Sequence, residues 1–248
     1  LGVAVVSPRV TRFAGGVALI FCAAAACAQT CAPSAIAASA DGATVYVACS
    51  ASNKVLWFDT AAEKVRRSVP VPAPPSGLAL ARDGRVLYVT CAAPHSRILA
   101  LDTASGNVAG EFHAGHTTLA PVLDRDSKLL YAANRFDSSI AIFDIARRRR
   151  IGLVPVLREP VGLALTPDGR LLFAANSLPV GRSDAEHVAA EVSIIDTATH
   201  TLAASVMLPN GSTGLREIQI SPDGRFAAVV HTVGRFYLPT TQLDRGWM

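Results

Sequence analysis

After residue 28 the sequence has no run of helical periodicity long enough to build a helix, which excludes helical bundles and helix-covered parallel sheets. It has no Cys-x-x-Cys-His, so this stretch attaches no c-type haem. Aromatic residues make up 6% of the chain and are not interleaved with basic ones, and no nucleic-acid-binding module is present, so no nucleic-acid partner is expected. The long apolar stretch from Phe13 to Ala28 is too short for a secure membrane span.

What is present is a repeat. Asp41-Gly42, Asp83-Gly84, Asp126-Ser127, Asp168-Gly169 and Asp223-Gly224 follow one another at 42, 43, 42 and 55 residues. Asp59-Thr60, Asp102-Thr103, Asp144-Ile145 and Asp196-Thr197 come 18, 19, 18 and 28 residues behind those turns, so the fourth unit carries an insertion of about ten residues. In the first unit, Ala35-Ile36-Ala37, Thr44 to Ala48, Val55 to Asp59 and a run ending in Val69-Pro70-Val71 are short strands between Asp-Gly, Ser-Asn and Pro turns. Four strands in about 42 residues is the pattern of a β-propeller blade. The expected fold is all-β, with antiparallel blades at about 33–71, 72–114, 115–156, 157–208 and an incomplete 209–248. First strands are expected near 34–39, 76–81, 118–124, 161–166 and 215–221.

Tyr88-Val89-Thr90-Cys91 differs in its last residue from the Tyr-Val-Thr-Asn signature of YVTN-type β-propeller repeats. Tyr46-Val47-Ala48-Cys49, Tyr131-Ala132-Ala133-Asn134 and Phe173-Ala174-Ala175-Asn176 are looser versions, and Pro160 to Leu165 followed by Pro167-Asp168-Gly169-Arg170 also resembles that family. The resemblance covers the chain after residue 30 and is specific for fold rather than function, since propellers host lactonases, redox enzymes, haem proteins and binding modules. It implies an exported binding or scaffold module. The alternatives are an electron-transfer or haem-associated oxidoreductase and a lactonase-like hydrolase. The stretch from His231 to Met248 resembles a loop of exported YVTN-type propellers that continue into further blades and, in some, a cytochrome c domain. No cofactor is expected within this stretch, and haem would belong to such a downstream domain. The expected partners are further blades, a redox protein or a small anionic ligand.

About four and a half blades do not close a ring, so the chain reads as an arc of a seven- or eight-bladed propeller whose missing blades complete it. Arg9 and Arg12 precede the apolar stretch ending in Ala26-Cys27-Ala28, the pattern of a secretory signal over residues 1–28. A periplasmic or extracellular location follows, with an uncleaved anchor as the alternative. Without that segment three cysteines remain, Cys31, Cys49 and Cys91. Cys49 and Cys91 occupy equivalent places in adjacent blades, beyond disulfide reach of about 7 Å. If a bridge forms, Cys31–Cys49 is preferred, with buried free thiols as the alternative.

The repeat register locates a candidate ligand face, formed by the loops between second and third strands and between blades. Eight residues after each turn Asp stand Cys49, Cys91, Asn134, Asn176 and His231. Seven before it stand Ser34, Ser76, Leu119, Val161 and Arg216, followed by Ala35, Gly77, Ala120, Gly162 and Glu217. Blade five alone places charges there. Asn134, Arg135, Asn176, Arg216, Glu217, His231 and Arg235 are therefore the candidate ligand-binding residues. In one reading Arg216 binds an anionic group and His231 acts as a metal or haem ligand or as an acid–base group. In the other, Arg216 and Glu217 tie neighbouring blades together and a loop carbonyl satisfies His231. Three further features stand apart. His113 and His116 have chelating spacing without a third ligand, His187 sits in the 178–190 insertion, and Arg147-Arg148-Arg149-Arg150 is a solvated turn or a polyanion or anionic-lipid contact.

Overall fold

The structure is a computed structural model that describes residues 31–182 and 184–234. Residues 1–28, where a secretory signal is expected, and Arg235 lie outside the described residues. Blade one consists of β1 (Pro33–Ala38), β2 (Thr44–Cys49), β3 (Lys54–Asp59) and β4 (Lys64–Pro70). Blade two is β5 (Pro75–Leu80), β6 (Val86–Cys91), β7 (Arg97–Asp102) and β8 (Val108–His113). Blade three is β9 (Thr118–Leu123), β10 (Leu129–Asn134), β11 (Ser139–Asp144) and β12 (Arg149–Pro155). Blade four is β13 (Pro160–Leu165), β14 (Leu171–Asn176), β15 (Glu191–Asp196) and β16 (Thr201–Met207), and among the described residues blade five pairs β17 (Ser212–Ile220) with β18 (Ala227–Val233). Strands follow chain order within each sheet, and every pairing is antiparallel. The only helical segment among the described residues is a 3-10 turn at Ser50–Ser52. β17 starts three residues earlier than its sequence pattern suggests, because Gly214 to Arg216 bulge out of the pairing between Thr213 and Glu217.

The first strands stand side by side around an axis, β1 against β5, β5 against β9, β9 against β13 and β13 against β17, and the blades fan outward as an unclosed arc. The core lies between blades. Leu87 and Val89 face Tyr46 and Trp57 of blade one, whereas Tyr88 faces Leu130 and Phe143 of blade three. Strands of the middle blades are thus buried on both faces, which explains why they read as nearly continuous apolar runs instead of alternating ones. Phe112 and Phe143 meet edge to face at 5.4 Å across the boundary between blades two and three.

The two repeated sequence marks are one device. Each Asp of the Asp-Thr pair accepts the N–H three residues on, as in Asp59 with Ala62 and Asp102 with Ser105, and so closes the outer turn. The following hydroxyls of Thr60, Thr103 and Thr197 donate to the carbonyls of Gly42, Gly84 and Gly169, locking the outer turn onto the inner one. In blade three the sequence substitutes Asp126-Ser127 for Asp-Gly, and the device shifts. Asp124, not Asp126, accepts the N–H groups of Lys128 and Leu129, while Ser127 takes the left-handed conformation at φ 53°.

The opposite end of each blade has its own repeat. The N–H of the residue after the second strand donates to the carbonyl before the first strand, in Ser50 to Ala32, Ala92 to Pro74, Arg135 to Thr117 and Ser177 to Glu159. In blade one a disulfide joins Cys31 to Cys49 across that same junction, with Cα atoms 4.5 Å apart. Cys91 holds the equivalent place in blade two as a buried free thiol, and burial pushes its pKa up to about 11.

Candidate functional site

The first strands line a concavity of about 510 Å³ along the axis. Its wall is mixed, with Ile36, Leu78 and Leu119 beside Ser34, Ser76 and Gln219. The first strands of blades one to four approach their neighbours closely because the third residue of each, Ala35, Gly77, Ala120 or Gly162, is small. A Cβ on Gly77 would overlap the Pro121 ring, and a Cβ on Gly162 would come 3.1 Å from both Glu217 Cα and Ile218 N. Ser34 and Ser76 add ties between blades, their hydroxyls donating to the carbonyls of Pro75 and Thr118.

Arg216 and Glu217 are the charged residues lining this concavity. Both are exposed, carried on the bulge of β17, while Leu215 and Ile218 on either side are buried against blade four. Arg216 forms no ion pair among the described residues, and Glu217 accepts only the N–H of Ile218, at 3.2 Å. Although the side chain is open to solvent, the surrounding wall withdraws enough water to raise the Glu217 pKa. The Ile218 N–H partly offsets that rise. The inter-blade polar tie weighed for Arg216 and Glu217 is therefore not formed among the described residues.

The other candidates do not join them. Asn134 is buried, where its Oδ1 accepts the Gly115 N–H at 3.1 Å and the Thr118 hydroxyl at 2.8 Å and its Nδ2 donates to Ser139 at 3.2 Å. It is a bracket inside the blade, not a ligand-facing group. Asn176 is likewise buried and donates to Glu191 O and Ser193 Oγ, but its Oδ1 has no partner. The position that supplies the Thr118 hydroxyl in blade three is Pro160 in blade four, because each pairs with the Asn, and proline offers no donor. His231 lies opposite the bulge on β18 and does not line the concavity; its nearest polar contact is the Thr232 carbonyl at 3.4 Å.

Arg135 instead grips Glu159 of the next blade through two hydrogen bonds of 3.0 and 2.7 Å, and stacks 4.9 Å over Phe136. His116 meets Phe136 edge-on at 5.1 Å, and the described residues contain no group of three His, Cys, Asp or Glu able to hold a metal. The 178–190 insertion is anchored: His187 bonds the Leu208 carbonyl, Asn210 bridges Glu186 O and Val188 N, and Val188 to Ala190 are buried. Sequence register located Arg216 and Glu217, but it missed Gln219 in the same lining and Glu159, the partner of Arg135.

Comparison with known proteins agrees with this architecture. The family described as Lactonase, 7-bladed beta-propeller matches residues 109–179. The chain superposes on a chain of the Kuenenia stuttgartiensis hydrazine synthase with a TM-score of 0.78 and 25% identity, covering 85% of this chain and 58% of that one. The chain is a β-propeller. The Swd1 β-propeller domain of Myceliophteria thermophila matches with a TM-score of 0.67 and 16% identity, over 80% of this chain and 62% of that one. Antigen Lp49 of Leptospira interrogans serogroup Icterohaemorrhagiae serovar copenhageni (strain Fiocruz L1-130) is 29% identical over 104 residues, which are 40% of this propeller and 22% of the antigen. The propeller thus spans about a fifth of that relative and somewhat over half of the hydrazine synthase chain.

Proposed function

We propose that this propeller is a binding module that takes a small anionic ligand in its axial concavity, held by Arg216. The observation that supports this reading is a guanidinium that lines the axial concavity without an ion pair among the described residues, on a bulge that departs from the small or apolar residues found at the same register in the other blades. A guanidinium offers a fixed fork of donors to a carboxylate or phosphate. Glu217 beside it selects against a second negative group and takes a hydroxyl or amine of the ligand instead. The reading includes export, supported by the Cys31–Cys49 disulfide, since such bonds persist in oxidising compartments.

Hydrolysis of a lactone is the second reading, supported by the family match over residues 109–179. One experiment separates the two. Calorimetric titration of the full chain with gluconate is expected to show binding that Arg216→Ala weakens about tenfold or more, the worth of a charge-assisted hydrogen bond of roughly 1.5–3 kcal/mol. Equal binding by the parent and the variant would overturn the axial reading. Hydrolysis of δ-valerolactone followed by pH-stat, and lost in Glu217→Gln, would favour the hydrolase.

A further inference from the structure

We propose a second anion site on the outer rim between blades two and three, built by the arginine turn of blade three and suited to a phosphate group. The outer turns of the other blades place Glu63, Gly106 and His200 at the position of Arg148, and all four residues adopt positive φ. Blade three alone surrounds that position with arginines. Asp144 neutralises one of them, accepting the Arg147 N–H at 2.8 Å and its guanidinium at 2.5 Å. Three remain, and none of Arg148, Arg149 or Arg150 forms an ion pair among the described residues.

These three guanidinium side chains line a groove of about 410 Å³ together with His113, over a floor that includes Phe112 and Phe143. Arg148 reaches across to Gly110 on the outer strand of blade two, where a Cβ would stand in ordinary van der Waals contact, 3.5 Å from the Arg148 Cζ. The carboxylate on the groove, Glu111, is already shared with Arg97 at 3.3 Å. Three like charges crowded into one groove repel each other, and an anion that enters relieves the repulsion. Arginine forks match phosphate oxygens in pairs. The chemistry that fits is a phosphate-bearing group, whether free in solution or on the headgroup of a lipid.

The test uses the full chain. Inorganic pyrophosphate is titrated calorimetrically, and sedimentation with phosphatidylglycerol or phosphatidylcholine vesicles is measured at the same ionic strength. Arg149→Gln with Arg150→Gln is expected to weaken pyrophosphate binding at least tenfold, while Arg170→Gln with Arg225→Gln, an equal loss of charge elsewhere, changes it less than twofold. Phosphatidylglycerol binding that the same pair abolishes, without pyrophosphate binding, would support the site and identify a lipid headgroup as the source. If the glutamine pair fails to fold, Arg149→Lys with Arg150→Lys keeps the charge and is expected to weaken binding several-fold through loss of the fork. Absence of binding to both pyrophosphate and phosphatidylglycerol, or equal losses in the groove and control pairs, would overturn the proposal.

Discussion

Replacing Gly77 by alanine tests how the axis is built. The added Cβ would overlap the Pro121 ring and stand 3.0 Å from both Ala120 N and Thr90 Oγ1. The proline ring cannot rotate away and the Ala120 backbone is held in its strand, so β5 and β9 must separate, straining the Ser76 hydroxyl bond to the Thr118 carbonyl. Overpacking of this kind costs about 1–3 kcal/mol. Removing glycine's freedom from the unfolded chain returns about 0.4–1 kcal/mol. A net loss of about 1–2 kcal/mol follows, which for a chain of this size lowers the melting temperature by roughly 2–8 °C. Thermal melts by circular dichroism read it directly, with Gly181→Ala as control, since nothing stands within 4 Å of a Cβ there. A Gly77→Ala protein that melts at or above the parent temperature would refute the close-approach argument.

Gly162→Ala should both destabilise the fold and weaken gluconate binding, because its Cβ presses on the backbone that carries Glu217. Phe143→Ala removes a fully buried ring from the boundary between blades two and three and is expected to cost about 3–5 kcal/mol in urea unfolding. Ala73→Cys places a thiol at the repeat position of Cys31, next to Cys91, whose sulfur already feels the Ala73 N–H. Oxidation should then lower the free-thiol count by one relative to the parent in colorimetric titration and add about 3 kcal/mol, as closure of a loop of this length does. Asp41, Asp168 and Asp223 accept first a hydroxyl (Ser39, Thr166 and Ser221) and then a backbone N–H, which hold their pKa values below the ordinary 3.8. Groups with a depressed folded pKa stabilise above the unfolded value and lose that contribution as pH falls through the depressed one. Melting temperature should therefore drop as pH is lowered below 3.8, and a flat acid limb would count against these turns as stabilising elements.

The sequence by itself determined the blades. Asp-Gly and Asp-Thr recur because each blade needs the same two turns, and turn chemistry is local: an Asp oxygen meets an N–H two or three residues on, and glycine supplies the positive φ. Register then located the unusual charges Arg216 and Glu217 without coordinates. What the tertiary structure alone decided is which residues at a shared register face inward. Asn134 and His231 stand at the same offset from their turns, yet Asn134 is buried inside its blade and His231 is half-buried beside a bulge. The pairing of Arg135 with Glu159 and the approach of Arg148 to Gly110 likewise depend on neighbours far apart in the chain. Strand periodicity fixes a side chain's face of its own sheet, but burial depends on the next blade, and that distance is set by packing across the interface.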